Sequence, residues 1–389
     1  MKLQIISTSN PGIVADKDVF DTFSGRVAGV CYMAGSFEDL MSEDIEKTRR
    51  RVTQTKGSGH HSVYDHEYIS VYFTDIPKIV AMVINNEKMY TTSEKSARYT
   101  KMKLSGIEQE LYDKWLNIFV EKITQKYGEN KPFFNEKRIL KLAQENARYL
   151  ISIFTPTSMV YTTSYRQWNY LYTFVCKYLE KQNCTPFEDK LKESLKEFKD
   201  MLHDMFPYID EDLCTNEKNR GLSLLSNRSD YVEYYGDVYT SKYSASFAEL
   251  AQAQRHRTLD YTITGIEYGK YYVPPIIADD ETLKNAWISD MDRLKDNYPQ
   301  GMLIDIVERG TYEKFVEKMK ERKCTYAQLE INQVTSSQAN KYYEKLAESG
   351  HALASDMKKY LLGSRCTFAD YRCLAPCGFK DGVNGTRII

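Results

Sequence analysis

No stretch of this 389-residue chain approaches the roughly 18 consecutive apolar residues of a membrane-spanning helix. The start, Met1-Lys2-Leu3-Gln4, lacks a signal-peptide apolar core, so a cytoplasmic protein is expected. An excess of one charge is also missing. Lys and Arg total 53 against 54 Asp and Glu, a net charge of -1, which argues against a dedicated nucleic-acid binder. There is no low-complexity segment and no obvious flexible linker. Eight cysteines are too scattered for a disulfide framework, and reduced thiols are expected. What remains is globular: 42% hydrophobic and 28% charged residues exclude a disordered or fibrous chain. The length suggests two domains or one large one. The unusual count is 31 tyrosines, which can stack on flat rings, although surplus Tyr is more often interior filler with a wet tip.

Periodicity divides the chain into two halves. Residues near 20–34 read as a short helical turn followed by Val27-Ala28-Gly29-Val30-Cys31-Tyr32, and 36–55 as one charged helix closed by Gly57-Ser58-Gly59. Glu67–Thr74 alternates Tyr68, Ser70 and Tyr72 with Ile69, Val71 and Phe73, as a half-buried strand does. Leu111, Trp115, Ile118, Phe119 and Ile123 mark an amphipathic helix. A later helix opens on Thr185-Pro186-Phe187-Glu188, a capping box, and buries Leu191, Leu195, Phe198, Leu202 and Met205. Pro207 and the acidic run Asp210-Glu211-Asp212 follow, giving domains 1–207 and 208–389. In the second half, Val238–Ser244 reads as a strand, Phe247–Gln254 as a helical approach, and Leu283, Trp287, Met291 and Leu294 as an echo of the Trp115 helix. Tyr268 follows Tyr99 by 169 positions and Trp287 follows Trp115 by 172, which suggests a duplicated unit of about 170–190 residues.

Four short constellations carry chemistry. Arg255-His256-Arg257, preceded by Gln252, offers donors without acceptors and suits a phosphate or diphosphate. A solvated basic turn paired with Asp260 is the plainer alternative. In Ser93-Glu94-Lys95-Ser96-Ala97-Arg98-Tyr99, a hydroxyl, backbone N–H groups and an Arg can hold a phosphate monoester, against the alternative of a bland exposed turn. Gly59-His60-His61-Ser62-Val63-Tyr64-Asp65-His66 gathers three of the six histidines; zinc would need Asp65 as a fourth ligand, with no Cys near in sequence, and no metal is expected. Cys366-x6-Cys373-x3-Cys377, with His351 upstream, lies at the edge of structural-zinc spacing, and buried free thiols are the plainer reading. Arg148, Arg166 and Arg322, taken singly, read as surface residues with buried stems.

Taken in order, these residues resemble the flavin-dependent thymidylate synthases. The first half shows His60…His66, Tyr72-Phe73-Thr74, Ser96-Ala97-Arg98-Tyr99, Ala147-Arg148 and Thr162-Thr163-Ser164-Tyr165-Arg166 at family-like spacing. The second half shows Gln252…Arg255-His256-Arg257, Pro274-Pro275, and Arg322…Ala327-Gln328-Leu329-Glu330-Ile331. Each half departs from the pattern where the other keeps it. Asn86-Glu87-Lys88 stands where Arg-His-Arg belongs in the first half, Val83 replaces the Gln, and Val175 the later Arg. Gly265-Ile266-Glu267-Tyr268 stands where Ser-x-Arg-Tyr belongs in the second, Asp230 occupies the place of the first His, and the Ala-Arg segment has no counterpart.

The resemblance implies an α+β fold in two tandem copies, each a mainly antiparallel sheet packed with helices. It implies sites shared between the copies, and a homodimer that makes a pseudo-tetramer. It implies reductive methylation of dUMP to dTMP, with methylene-tetrahydrofolate supplying the carbon, FAD the reducing equivalent, and NADPH re-reducing the flavin. No Cys sits in a recognisable nucleophile motif, consistent with that route. His60, Arg166, Arg255, His256 and Arg257 are the implied FAD residues. Glu94, Ser96, Ala97, Arg98, Tyr99, Arg148 and Gln252 are the implied dUMP residues, with Ser96, the Ala97 N–H and Arg98 on the phosphate. Arg322 is implied both to bind the pyrimidine and to stabilise charge as C5 becomes nucleophilic. Tyr99 or Tyr68 is the candidate to stack on a ring. The competing readings are a different C5 modification of a pyrimidine nucleotide, and a non-catalytic nucleotide binder.

Overall fold

The computed structural model describes residues 1–9, 17–205, 210–214, 223–226, 228, 230–257 and 259–389. Two compact units emerge from the packing: residues 1–95 with 156–222, and 96–155 with 223–389. Packing therefore does not follow the chain-order division at 207/208, because residues 96–155, from the first half of the sequence, fold with the second half. Pro207 itself lies outside the described residues.

The first unit is built on a four-stranded antiparallel sheet of β1 (Lys2–Thr8), β2 (Tyr68–Pro77), β3 (Thr91–Glu94) and β4 (Pro156–Ser164), in the order β1-β2-β4-β3. The alternation in β2 does what its pattern predicts: Ile69, Val71 and Phe73 are buried while Tyr68 and Tyr72 are exposed. The Phe73 ring lies 6.2 Å from Trp168 on the Tyr165–Leu179 helix and 6.0 Å from Phe198 on the Pro186–Met205 helix. The latter helix starts in the expected capping box: Glu188 Oε2 accepts from the Thr185 N–H at 2.9 Å, and Thr185 Oγ1 accepts from the Glu188 N–H at 3.3 Å. The charged stretch 36–55 is two helices, Phe37–Met41 and Ile45–Gly57, because Asp44 caps a new start by accepting from the Glu46 and Lys47 N–H groups.

The second unit repeats this topology. Strands β5 (Tyr234–Tyr235), β6 (Val238–Ser246), β7 (Asp260–Tyr271) and β8 (Met302–Thr311) are antiparallel in the order β5-β6-β8-β7, the same permutation as β1-β2-β4-β3. Helices follow equivalent strands: Lys78–Ile84 after β2 and Phe247–Ala253 after β6; Tyr165–Leu179 after β4 and Tyr312–Arg322 after β8. The fold is α+β, with mainly antiparallel sheets and packed helices. The echo of Trp115 in Trp287 has a direct consequence, since the two indoles meet edge to face at 4.8 Å inside this unit. Trp115 lies on the Gly106–Tyr127 helix, which residues 96–155 contribute together with the Glu136–Ala147 helix. Between the Glu281–Asp292 helix and β8, only the short turn Lys295–Asn297 is found where that second helix would recur. Among the described residues no helix is long and apolar enough to cross a membrane.

Candidate nucleotide site

Ser246 at the end of β6 caps the next helix, its Oγ accepting from the Glu249 N–H at 3.1 Å. Every residue of the Phe247–Ala253 helix is buried, which carries Glu249 and Gln252, three positions apart and on one face, into the interior. With its amide oxygen turned to satisfy the network, Gln252 accepts from Arg322 Nη1 at 3.1 Å and Arg98 Nη1 at 3.3 Å. Arg322 also donates through Nη2 to the Gln252 carbonyl at 2.5 Å. Arg98 is fixed further by Glu145 at 2.5 Å and by the Tyr326 carbonyl at 2.9 Å.

Beside this group a second chain of bonds runs through the same unit. Arg148 donates to the Gln328 side chain, and Gln328 donates in turn to the Tyr149 hydroxyl. Tyr149 donates to Glu330 at 2.8 Å, and Glu330 accepts from the Ser246 N–H at 2.8 Å and the Ser246 hydroxyl at 2.6 Å. The helix cap at Ser246 is thus bonded to Arg148 through three side chains, Glu330, Tyr149 and Gln328.

The electrostatics are those of a site short of negative charge. Burial holds Arg322 down to about 10, and the Arg98 charge adds to that. Burial also lowers Arg148. Arg98 is pulled down by burial as well, but the Glu145 carboxylate outweighs it and its pKa ends up raised. Arg148 Nε and Arg322 Nε are buried without a hydrogen-bond partner among the described residues. Such orphaned donors are expensive unless a ligand acceptor meets them.

A cavity of about 320 Å³ opens next to the cluster, lined by Arg98, Tyr99, Arg138, Lys141, Tyr326 and Arg387, among others. Arg138 lies over the rings of Phe134, Phe379 and Tyr326 at 4.6, 5.2 and 5.5 Å, and Lys141 over Tyr99 at 5.5 Å. Cations backed by flat rings suit a ligand that joins an anion to an aromatic base.

The sequence-derived candidates separate cleanly. Arg98, Arg148, Gln252 and Arg322 come together although they derive from different halves of the chain. Ser96 and Ala97 belong to the same turn, where Ser96 Oγ accepts from the Arg98 N–H at 3.3 Å. Tyr99 is 52% exposed and lines the cavity. Arg255 and Arg257 lie exposed just past Gln252, and Arg257 adopts the left-handed conformation, φ 56°, where the helix ends. The His256 side chain lies outside the described residues.

Glu94, His60 and Arg166 belong to the first unit. Glu94 pairs with Lys78 at 2.6 Å, and His60 is exposed. Arg166 pairs with Asp65 at 2.5 Å and lines a separate cavity with Tyr68, Lys88 and Tyr170. His61 is buried, its Nε2 3.0 Å from the Lys56 carbonyl. Among the described residues no three His, Cys, Asp or Glu side chains stand in metal-ligating geometry.

Sequence reasoning passed over Arg138, Lys141 and Glu145. Their spacing of three and four positions puts them on one helix face, a signal that was available. Arg387, whose guanidinium donates to the Thr325 and Ala327 carbonyls, had no signal in the sequence.

Comparison with known proteins bears on this geometry. Residues 20–198 match the family described as thymidylate synthase complementing protein. Among solved structures, a thymidylate synthase X from Helicobacter pylori, with FAD and dUMP, aligns at 13% identity over 55% of this chain and 100% of its own, with a TM-score of 0.33. A UMP/dUMP methylase PolB from Streptomyces cacaoi, bound with 5-Br dUMP, aligns at 13% identity over 54% of this chain and 93% of its own, with a TM-score of 0.31. No curated protein matches the chain.

Proposed function

We propose that this chain is an FAD-dependent methyltransferase acting at C5 of a pyrimidine nucleoside monophosphate, and specifically that it converts dUMP to dTMP with methylene-tetrahydrofolate and NADPH. The observation that carries this reading is the Gln252 amide bridging Arg98 and Arg322, beside orphaned donors on Arg322 and Arg148. A buried guanidinium, Arg322, and a half-buried one, Arg98, share one neutral acceptor there, an arrangement completed by an anionic, carbonyl-bearing ligand.

The chain's residues also fit FAD. Arg255 and Arg257 are exposed guanidiniums two positions apart, a donor set that suits a diphosphate, and both lie within two turns of Gln252 in sequence. Bound FAD, reduced by NADPH, would supply the reducing equivalent for the transferred carbon. The protein's own work is orientation and charge. Ser96, the Ala97 N–H and Arg98 hold the phosphate. Arg322 donates to a pyrimidine oxygen and stabilises the negative charge that builds as C5 becomes nucleophilic. Glu330 and Tyr149 keep Gln328 and Arg148 in place. We propose further that His60 and Arg166 bind flavin and that the protein works in the cytoplasm as a homodimer arranged as a pseudo-tetramer.

The second reading is a nucleotide binder without catalysis. Arg98 is already engaged by Glu145 and Tyr326, so a phosphate must compete for it. An absorption spectrum of the purified protein separates the two. An oxidised-flavin spectrum that bleaches anaerobically with NADPH, and returns only when dUMP and methylene-tetrahydrofolate are both added, supports the synthase. Absence of flavin after incubation with excess FAD, with dUMP still bound, moves the protein to the second reading.

A further inference from the structure

The cavity beside Arg98 is not lined by Arg148, Gln252 or Arg322, so the arginine cluster explains only one of its walls. The others come from the Glu136–Ala147 helix, through Lys137, Arg138 and Lys141, and from the end of the chain, through Phe379 and Arg387. The one carboxylate in the lining, Glu145, is already bonded to Arg98 at 2.5 Å. Among the described residues no carboxylate stands within ion-pair distance of Lys137, Arg138, Lys141 or Arg387. Arg387 is the costliest of these. It is 4% exposed, its guanidinium donates only to the Thr325 and Ala327 carbonyls, and burial pulls its pKa down.

The other three cations have donors to spare. Arg138 gives Nη1 to the Phe133 carbonyl at 3.0 Å, while its Nε and Nη2 meet no partner among the described residues. Lys141 covers the Tyr99 ring at 5.5 Å and makes no hydrogen bond there, and Lys137 makes none either. Nor do these charges serve the helix. Lys137 and Arg138 stand in its first turn, where the backbone dipole repels a cation. Asn135 Oδ1 takes the Arg138 N–H at 3.0 Å, so side chains and not the helix end supply the donors. Two rings of the wall are also open, Tyr99 at 52% and Tyr326 at 49% exposed.

We propose that this cavity is a second nucleotide site, which binds a nucleoside 5′-diphosphate apart from the dUMP cluster and from Arg255 and Arg257. A diphosphate ester carries about three negative charges at neutral pH, which the open cations Lys137, Arg138 and Lys141 match. The Arg138 fork beside two lysine point charges suits phosphate oxygens, and the buried Arg387 charge gains an anion nearby. Tyr99 and Tyr326 offer faces on which a base stacks. At about 320 Å³ the cavity falls at the small end of ligand pockets, which run from roughly 300 to 1,000 Å³, so it admits one small molecule and not a polymer. None of this depends on the methyltransferase reading.

The test is titration calorimetry of the full chain, preloaded with saturating dUMP and FAD, with ADP, UDP, AMP and pyrophosphate as probes. One ADP or UDP per chain is expected, bound about tenfold tighter than AMP or pyrophosphate and more weakly as salt rises. Lys141→Ala and Arg138→Ala should each weaken it about tenfold to a hundredfold, and Lys141→Arg should restore most of the loss. Lys126→Ala, an exposed lysine on the neighbouring Gly106–Tyr127 helix, should change nothing. Because Arg138 also packs on rings, its variant can fail to fold; the exposed Lys137→Ala and the salt series on the unaltered protein do not carry that risk. Absence of binding by both ADP and UDP overturns the proposal. So does pyrophosphate binding as tightly as either nucleotide, or an affinity unmoved in both Lys137→Ala and Lys141→Ala. If dUMP and FAD themselves fail to bind, the methyltransferase reading falls, and the ADP and UDP titrations still decide this site.

Discussion

Two helices in equivalent places have opposite natures. Lys78–Ile84 follows the second strand of the first sheet, and Phe247–Ala253 the second strand of the other. Both are buried. In the first, Ile79 through Ile84 are apolar and at most 1% exposed, so the helix is pure core. In the second, burial encloses Glu249 at 0% and Gln252 at 7% exposure, and Glu249 has no hydrogen-bond partner for either carboxylate oxygen among the described residues. Burying polar groups costs free energy that a packed core does not need to spend. The second helix therefore reads as a site, and the first as what remains of the repeat when its polar positions are filled with hydrocarbon.

A similar contrast separates the two long helices that follow later in each repeat. Pro186–Met205 starts in a complete capping box. Leu329–Glu348 starts at Gln328 with no side-chain cap, because Gln328 bonds Arg148 and Tyr149 while Glu330 bonds Ser246. Helix-end chemistry in the second unit is diverted to holding the arginines.

The largest effect that would sharpen this comparison is a pH dependence. Burial, reinforced by Glu330 and Glu308, pushes Glu249 up to about 8, whereas an unfolded Glu ionises near its ordinary value of 4.5. With the folded pKa raised, the contribution to stability is full below about 4.5 and is lost as pH climbs to about 8, by several kcal/mol at about 1.4 kcal/mol per unit. Glu249→Gln should flatten that slope in a series of urea melts; an unchanged slope would show that the carboxyl is not the cause. Met82→Ala, in the apolar helix, should cost about 4 kcal/mol by leaving a cavity, and a loss below about 1 kcal/mol would deny that this helix is core.

Arg322→Ala should cost about 3 kcal/mol of transition-state stabilisation, roughly a hundredfold in kcat/KM for dTMP formation. A variant of undiminished rate removes Arg322 from the site. Exchanging the matched positions is subtler. Val83→Gln should destabilise by about 2 kcal/mol, because an amide would be buried without a partner, and leave dUMP binding unchanged, while Gln252→Val, which strips Arg98 and Arg322 of their shared acceptor, should weaken dUMP binding as well as cost about 1–3 kcal/mol. Equal behaviour of the two exchanges would break the comparison. Smallest of all, Thr185→Ala should cost about 1 kcal/mol by removing the cap, measured as a shift in the denaturant midpoint.

Much of the secondary structure in both units was legible because these elements obey local rules. The alternation in β2, the stripe Leu111, Trp115, Phe119 and Ile123, and the Thr185 box each depend on neighbours in sequence, and each formed as read. The helix at 36–55 was misjudged because Asp44 restarts it, a capping event that its continuous charge pattern hides. The site was legible only as a list. Arg98, Arg148, Gln252 and Arg322 were named from motifs, but Glu94, Arg166 and His60 were named with them and belong to the other unit.

By itself, the sequence determined the repeated outline and the identity of the arginines, since these are written in spacing and residue type. Only the tertiary structure decided which arginines share an acceptor, that neither Glu249 carboxylate oxygen has a hydrogen-bond partner among the described residues, and that residues 96–155 fold with the opposite half. Those outcomes depend on which surfaces bury one another across more than a hundred residues, and periods of two and 3.6 residues carry no information at that distance.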